Sequence, residues 1–249
     1  MSAALRKPTP LIVLRSLAFA VWVYLALTVV GLVFLPTLLG PSRLVMVPAR
    51  LWASLISWGL KVIVGVRIEI RGLEHRPVGA ALIAAKHQGM LDIVTPYHMV
   101  RQPCFVLKQE LIRLPLFGWY CARLGMIPVD RSAGSKALRS LVHGARQRIA
   151  EGRQVIIFPE GTRQAIGAAP DYKPGVAALY REMDMPVTPV ATNSGECWPP
   201  KGFIRYPGLV VFEFLPPIPS GLKRASFMAA LESSIEQASA ALLAHRPGA

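Results

Sequence analysis

The strongest constraint on the fold of this chain is a run of 27 residues, Ser16 to Ser42, that contains no charged side chain. A helix needs about 20 apolar residues to cross the hydrocarbon core of a bilayer, so the run is long enough to span it. It is longer than the apolar core of a secretory signal and has no clear small-residue cleavage site. The run therefore predicts a membrane-associated helix that ends near Pro36 and Gly40. We expect Trp22 and Tyr24 to lie at an interface.

A second apolar run, Leu51 to Val66, is shorter and is interrupted by Gly59 and Lys61. It predicts a helix that either returns through the bilayer or lies in the headgroup plane. Basic residues flank the first run on both sides. The positive-inside bias therefore favours a hairpin or a shallow insertion, with both ends in the cytoplasm, over a single pass. The alternative is a pair of helices buried inside a soluble domain.

The composition is apolar and basic at the same time. The chain of 249 residues has a net charge of +14, although only 17% of its residues are charged and 53% are hydrophobic. So basic a protein is expected to bind nucleic acid, an anionic membrane surface or a phosphorylated substrate. The apolar excess favours the membrane, and the sequence has no zinc-finger spacing or RNP-like aromatic motif. We therefore expect no nucleic-acid partner, and the charge alone leaves a non-enzymatic membrane-binding protein open.

The three cysteines, Cys104, Cys121 and Cys197, lie far apart and form no CxxC pair. A disulfide framework or a zinc site is not expected from such spacing. Their apolar neighbours predict buried free thiols in a reducing compartment.

From Val66 onward, short strands alternate with helices. Apolar or alternating segments predict seven strands, at Val66–Gly72, Ala80–Ala85, Phe105–Leu107, Met126–Val129, Gln154–Phe158, Val187–Ala191 and Leu209–Phe214. Helices are predicted at Leu91 to about Val100, Glu110–Leu124 (broken), Lys136–Glu151, Gly175–Glu182 and Ala225–His245. The alternation predicts an α/β fold with a mixed, mostly parallel sheet flanked by helices. We expect membrane-anchoring helices in residues 1–66 and a globular domain in residues 67–249.

Polar side chains follow five of the predicted strands. They are His87 with Asp92, Lys108 with Glu110, Asp130 with Arg131, Glu160 to Arg163, and Asn193 with Ser194. Ligands bind at the carboxyl ends of strands in open α/β sheets, so five such endings predict one shared site.

His87 follows an apolar strand, and Asp92 comes five residues later. A carboxylate that accepts the Nδ1 proton of a histidine fixes its tautomer, and Nε2 is then free to take a proton from a hydroxyl. On its own, the pair fits a histidine in a turn and an aspartate that caps a helix equally well. The stretch Gly161-Thr162-Arg163 adds a second signal. It suits an anion, because glycine lets the backbone approach, threonine adds a hydroxyl and arginine offers two donors to phosphate oxygens.

These segments resemble the 1-acylglycerol-3-phosphate (lysophosphatidic acid) acyltransferases of the wider glycerolipid acyltransferase family. The likeness covers roughly Ile68 to Pro217 and consists of four blocks in order. They are His-x4-Asp at His87 and Asp92; Lys-x-Glu…Pro-x2-Gly…Gly…Asp-Arg at Lys108, Glu110, Pro115, Gly118, Gly125, Asp130 and Arg131; Phe-Pro-Glu-Gly-Thr-Arg at residues 158–163, followed by Lys173 and Gly175; and a strand with Pro189 that runs to Asn193, Ser194 and Gly195. Two positions depart from the family pattern, Lys86 in place of a frequent asparagine and Gly89 in place of a frequent serine.

The resemblance implies transfer of a fatty acyl group from acyl-CoA or acyl carrier protein to the sn-2 hydroxyl of 1-acylglycerol-3-phosphate, which gives phosphatidic acid. It implies that His87 is the general base and that Asp92 orients it. No covalent acyl-enzyme is required because a thioester is already activated. No cofactor beyond the thioester co-substrate and no metal are expected.

The resemblance also implies a binding site for the acceptor phosphate. Arg163 and Lys108 would hold the phosphate and Arg131 would add positive charge, while Glu160, Gly161 and Thr162 would shape the pocket. Backbone amides near Gly161 are candidates for an oxyanion site. Family members also acylate other lyso-lipids, such as lyso-ornithine lipid, so the acceptor stays open. We expect the catalytic domain to face the cytoplasm at the inner membrane.

Overall fold

A computed structural model describes residues 7–244, apart from the side chain of Arg131. One seven-stranded sheet forms its centre, in the order β1-β7-β6-β2-β5-β3-β4. The strands are β1 (Val66–Arg71), β2 (Ala81–Ala85), β3 (Pro103–Lys108), β4 (Ile127–Val129), β5 (Gln154–Ile157), β6 (Val187–Thr192) and β7 (Gly208–Phe214). All seven predicted strands are confirmed.

The sheet is mixed, as predicted. The five strands from β6 to β4 run parallel to one another, so their carboxyl ends lie along one edge. β7 pairs antiparallel with β6 and parallel with β1, so the last two strands run the other way. β2, β5 and β6 are buried along their whole length, as is typical of parallel strands covered on both faces.

Eight α-helices are present in residues 7–244. They are α1 (Pro10–Val33), α2 (Ser42–Gly59), α3 (Leu91–Val94), α4 (Pro96–Met99), α5 (Phe117–Arg123), α6 (Ser135–Ala150), α7 (Pro174–Met183) and α8 (Arg224–Ala244). Helices α6, α7 and α8 pack together against β4, β5 and β6 on one face of the sheet, and α1 to α5 form a second layer around α2. The helix predicted over Leu91–Val100 is divided at Pro96, because proline has no N–H to continue the helical ladder.

The two N-terminal helices form an antiparallel hairpin. α1 begins at Pro10, earlier than the uncharged run, because the Thr9 side chain caps the N–H of Ile12. α2 begins at Ser42 rather than at Leu51, contains Pro48, and continues through one π-helical turn to Val64.

The helices of the hairpin approach closely at Gly59. A Cβ atom at this glycine would lie 2.4 Å from the ring of Trp22. The Trp22 indole donates a hydrogen bond of 2.8 Å to the Leu55 carbonyl. Trp22 therefore packs between the two helices and is partly buried, whereas Tyr24 is exposed, and the interface position of both stays a prediction.

The hairpin shares a hydrophobic core with the sheet through buried side chains such as Phe19, Ile56 and Leu60. Its outer face, in contrast, exposes Leu14, Leu17, Val21, Leu25, Val29 and Leu32. Two helical segments of the described residues, Pro10–Val33 and Ser42–Val64, are long and apolar enough to cross a membrane.

Cys104, Cys121 and Cys197 are free and buried, as predicted. Burial raises the pKa of the Cys104 thiol to about 11 and that of Cys121 to about 12. Both thiols are therefore protonated at neutral pH, and neither is an activated nucleophile.

Candidate active site

The carboxyl edge of the five parallel strands gathers the polar residues that the sequence singles out. His87 follows β2, Lys108 ends β3, and residues 158–163 follow β5, which lies between β2 and β3. Ser194 follows β6 on the other side of β2. The sheet order thus explains how segments more than 100 residues apart reach one place.

His87 and Asp92 are in contact at the centre of this edge. The Nδ1 atom of His87 lies 2.9 Å from Asp92 Oδ2, and the two side chains are 15% and 1% exposed. A short connection joins β2 to α3, and Asp92 lies in the first turn of α3, where its side chain reaches the histidine. The carboxylate thereby favours the tautomer that carries its proton on Nδ1.

Asp92 is held by three further hydrogen bonds. The backbone N–H groups of Gln88 and Gly89 donate to Oδ2 at 2.6 and 2.8 Å, and the Ser194 hydroxyl donates to Oδ1 at 2.5 Å. A buried carboxylate with four donors has little freedom to reorient. The aspartate therefore fixes the position of the histidine ring as well as its tautomer.

The other side of the His87 ring faces Phe158. The ring centroids are 4.1 Å apart and the planes differ by 19°. Nε2 of His87 has no hydrogen-bond partner among residues 7–244, although Nδ1 is fully engaged. This arrangement can take a proton from a hydroxyl placed at Nε2 and stabilise the resulting imidazolium through Asp92.

The family model described as Acyltransferase matches residues 67–193, which is half of the chain. The chain belongs to this acyltransferase family. The matched segment contains His87, Asp92 and the stretch Glu160 to Arg163, and it stops before the loop that follows β6.

Curated relatives carry a more specific name. The chain is 36% identical over 159 residues to the 1-acyl-sn-glycerol-3-phosphate acyltransferase of Pseudomonas aeruginosa. This alignment covers 64% of the chain and 62% of that protein. The chain is also 29% identical over 168 residues to the 1-acyl-sn-glycerol-3-phosphate acyltransferase alpha of Ovis aries. That alignment covers 66% of the chain and 58% of the relative. The alignments thus span about three fifths of the length of these relatives.

The crystal structure of the 1-acyl-sn-glycerophosphate (LPA) acyltransferase PlsC from Thermotoga maritima has a similar fold. Its TM-score is 0.74 at 20% identity, and the match covers 92% of this chain and 97% of that chain. The match therefore includes most of the helical hairpin as well as the sheet.

Glu160, within the family segment, is fully buried behind His87. Its Oε2 accepts the backbone N–H of His87 at 2.8 Å, and its Oε1 lies 2.8 Å from the Lys86 ammonium. The Glu160 carboxylate therefore holds the backbone of the His87 segment in place, and its predicted role in shaping the acceptor pocket stays a prediction.

Lys86, which departs from the family pattern, bridges two carboxylates. Its ammonium lies 2.6 Å from Glu236 Oε1, and the same oxygen accepts the Tyr172 hydroxyl at 2.9 Å. Burial by itself lowers the pKa of Lys86, but attraction to Glu160 and Glu236 outweighs it and raises the pKa overall. At this position, where the resembled family often has an asparagine, a buried cation thus links α8 to the carboxyl edge of the sheet.

We expect Lys86→Met to destabilise the fold by about 3–5 kcal/mol, because it leaves Glu160 buried without its cation. Lys173→Met is a matched control, since Lys173 is exposed and, in the described part of the chain, its ammonium forms an ion pair only with Asp171 at the surface. That control should change stability by less than about 1 kcal/mol. Denaturant unfolding of both variants in detergent measures the difference, and equal midpoints for the two variants would contradict the bracing role of Lys86.

The positions that the sequence assigns to the acceptor phosphate are mostly exposed. Lys108, Thr162 and Arg163 are open to solvent, and Gly161 is partly buried with a φ of +68° that suits glycine. Gln164 donates its backbone N–H to the His87 carbonyl at 2.8 Å, so the backbone next to Arg163 contacts the His87 segment. The side chain of Arg131 lies outside the described part of the structure, so its predicted role stays a prediction.

The Gly161 amide does not offer an oxyanion donor. Its N–H donates to the Phe158 carbonyl at 2.9 Å and closes the turn after β5. The expectation of a free amide at this position is therefore wrong for Gly161.

The second departure, Gly89, has a steric cause. A Cβ atom at this position would lie 2.5 Å from the carbonyl oxygen of Trp198. A serine at this position would collide with the loop after β6. The observed position of that loop therefore requires a residue without a side chain at position 89.

Proposed function

We propose that the protein transfers a fatty acyl group from acyl-CoA or acyl carrier protein to the sn-2 hydroxyl of 1-acylglycerol-3-phosphate, which gives phosphatidic acid. The observation that carries the proposal is the His87–Asp92 pair, with Nδ1 engaged at 2.9 Å and Nε2 unpartnered, at an edge that also presents Arg163. The names of the curated relatives support the same acceptor.

In the proposed mechanism, Nε2 of His87 removes the proton of the sn-2 hydroxyl as the oxygen attacks the thioester carbonyl. The tetrahedral intermediate then collapses, the carbon–sulfur bond breaks, and the imidazolium gives the proton to the leaving thiolate, which departs as a thiol. Asp92 stabilises the imidazolium while it exists, because its carboxylate is buried against Nδ1. The thioester supplies the activated acyl group, so neither a covalent acyl-enzyme nor a further cofactor is required.

Arg163 and Lys108 bind the acceptor phosphate in this proposal, with Arg131 adding positive charge. Both described side chains are exposed at the carboxyl edge, where a headgroup has access. Guanidinium and ammonium groups form charge-assisted hydrogen bonds with phosphate oxygens. Thr162 and Gly161 line the approach to the same position.

We expect Arg163→Ala to raise the KM for 1-acylglycerol-3-phosphate about tenfold to hundredfold, because hydrogen bonds to charged groups contribute about 1.5–3 kcal/mol. The kcat should change far less, since the phosphate does not take part in bond making. Steady-state kinetics with varied acceptor measures both constants. An unchanged acceptor KM would remove Arg163 from the phosphate site.

The hairpin α1–α2 places the protein at the membrane in this proposal, with the catalytic edge facing the cytoplasmic side of the inner membrane. α1 contacts the globular part near both ends, through Ser16 with Arg205 and through Gly31 with Tyr120. A helix held along the domain in this way supports shallow insertion rather than a perpendicular crossing. Its exposed apolar face is of the kind that enters the headgroup region.

Lipid analysis of cells depleted of the protein tests the acceptor. The proposal predicts that phosphatidic acid falls and its 1-acylglycerol-3-phosphate precursor accumulates. A loss of ornithine lipid with unchanged phosphatidic acid would assign a lyso-lipid without phosphate instead.

A further inference from the structure

Arg205 lies in the loop between β6 and β7, beyond the segment matched by the family model. Its guanidinium carbon sits 4.5 Å from the centre of the Trp198 ring. One terminal nitrogen donates to the carbonyls of Gly202 at 3.1 Å and Ile204 at 2.8 Å. The side chain is therefore fixed from two sides, as a preorganised ligand for an anion would be.

Helix α1 packs against the loop that carries Arg205 and supports it. The backbone N–H of Arg205 donates to the Ser16 hydroxyl at 2.9 Å, and Ser16 is fully buried. The Trp198 ring packs edge-on against Phe19 at 5.4 Å between centroids. The position of the guanidinium thus depends on the helix whose outer face is apolar.

The same loop touches the catalytic segment. The carbonyl oxygen of Trp198 lies directly against Gly89, which is two residues after His87. In addition, the backbone N–H of Gln164, the residue after Arg163, donates to the His87 carbonyl. The two loops that carry Arg163 and Arg205 therefore both contact the short segment from His87 to Gly89.

The two arginines repel each other. Burial, and to a lesser extent the positive charge of Arg163, lowers the pKa of Arg205 to about 10. Neither side chain forms a salt bridge within the described residues, and Nε of Arg205 is buried without a hydrogen-bond partner. Two neighbouring positive charges without a carboxylate partner are stabilised by a bound anion.

We propose that Arg205 forms, together with Arg163, a two-guanidinium site for the phosphate of the lipid acceptor. This inference rests on the proposed function and adds a ligand from outside the family segment. A phosphate monoester carries up to two negative charges and can accept hydrogen bonds from both guanidiniums at once. The contact between this loop and α1 favours the lipid, rather than coenzyme A, as the source of the bound phosphate. A lipid headgroup approaches along the apolar hairpin, whereas coenzyme A approaches from water.

The test compares Arg205→Gln with the matched control Lys201→Gln, which removes an exposed cation from the same loop. Binding is measured by thermal stabilisation of the purified full-length protein with mixed micelles that contain either 1-acylglycerol-3-phosphate or 1-acylglycerol. We expect the wild-type protein and Lys201→Gln to be stabilised more by the phosphorylated lipid. We expect Arg205→Gln to lose that difference and Arg205→Lys to keep part of it.

Kinetics provide the second readout. Arg205→Gln should raise the KM for 1-acylglycerol-3-phosphate about tenfold to hundredfold, with a nearly unchanged kcat and an unchanged KM for acyl-CoA. A raised KM for acyl-CoA alone would overturn the proposal and assign Arg205 to the donor phosphates. An Arg205→Gln variant that behaves like Lys201→Gln in binding would overturn it as well. Phosphate-dependent binding without acyl transfer by the wild-type protein would uphold this site and contradict the proposed function.

Discussion

Replacement of His87 by alanine is expected to reduce acyl transfer by about 10²- to 10⁴-fold, which is the range that general-base assistance contributes. The reason is geometric. The imidazole is the group that Asp92 orients, and its Nε2 is unpartnered among residues 7–244. Initial rates of acyl transfer, measured with purified protein at saturating acyl thioester, test this expectation.

The control for this variant is His143→Ala, because His143 is exposed on α6, away from the carboxyl edge. It should retain wild-type activity. Both variants should fractionate with membranes and unfold near the wild-type temperature, since the His87 side chain is not part of the buried core. Residual turnover within tenfold of wild type in a folded His87→Ala protein would contradict the base assignment.

Two substitutions at Asp92 should separate its charge from its hydrogen bonds. Asp92→Asn can keep one oxygen toward His87 and the two backbone N–H groups, while its amide N–H faces the Ser194 hydroxyl, which can accept. This variant should fold but lose about 10²-fold or more in kcat, because no negative charge stabilises the imidazolium. The kcat of the purified protein measures the loss.

Asp92→Ala should instead affect stability. Each buried donor left without a partner costs about 1–3 kcal/mol, and Asp92 accepts from three groups besides the histidine. Denaturant unfolding should therefore rank wild type close to Asp92→Asn and both well above Asp92→Ala. Equal stability for the two variants would contradict the role of this carboxylate in holding the loop after β2.

The sheet was largely predictable because its strands are short apolar segments that end at polar residues. The pattern gives Ala80–Ala85 and Gln154–Phe158, and both strands are buried in the structure within one residue of those ends. The hairpin boundaries were less predictable. Helix α2 extends through Arg43, Pro48 and Arg50, which interrupt the apolar pattern but not the helix.

The central pair of the site was also predictable, because His87 and Asp92 are five residues apart and meet locally. Partners that are distant in sequence were not. The pairing of Lys86 with Glu236 joins residues 150 positions apart, and nothing in the pattern of α8 distinguishes that glutamate from a solvated one. Ser194 stood out only as a polar strand ending, and its bond to Asp92 depends on β6 lying beside β2.

The most direct test of the proposed function is acyl transfer by the purified protein from radiolabelled acyl-CoA or acyl–acyl carrier protein to a panel of lyso-lipids. The panel contains 1-acylglycerol-3-phosphate, 1-acylglycerol and lyso-ornithine lipid. We expect the label to enter phosphatidic acid with the wild-type protein, and to enter it about 10²- to 10⁴-fold more slowly with His87→Ala. Label that enters none of the lyso-lipids, or only those without phosphate, would contradict it.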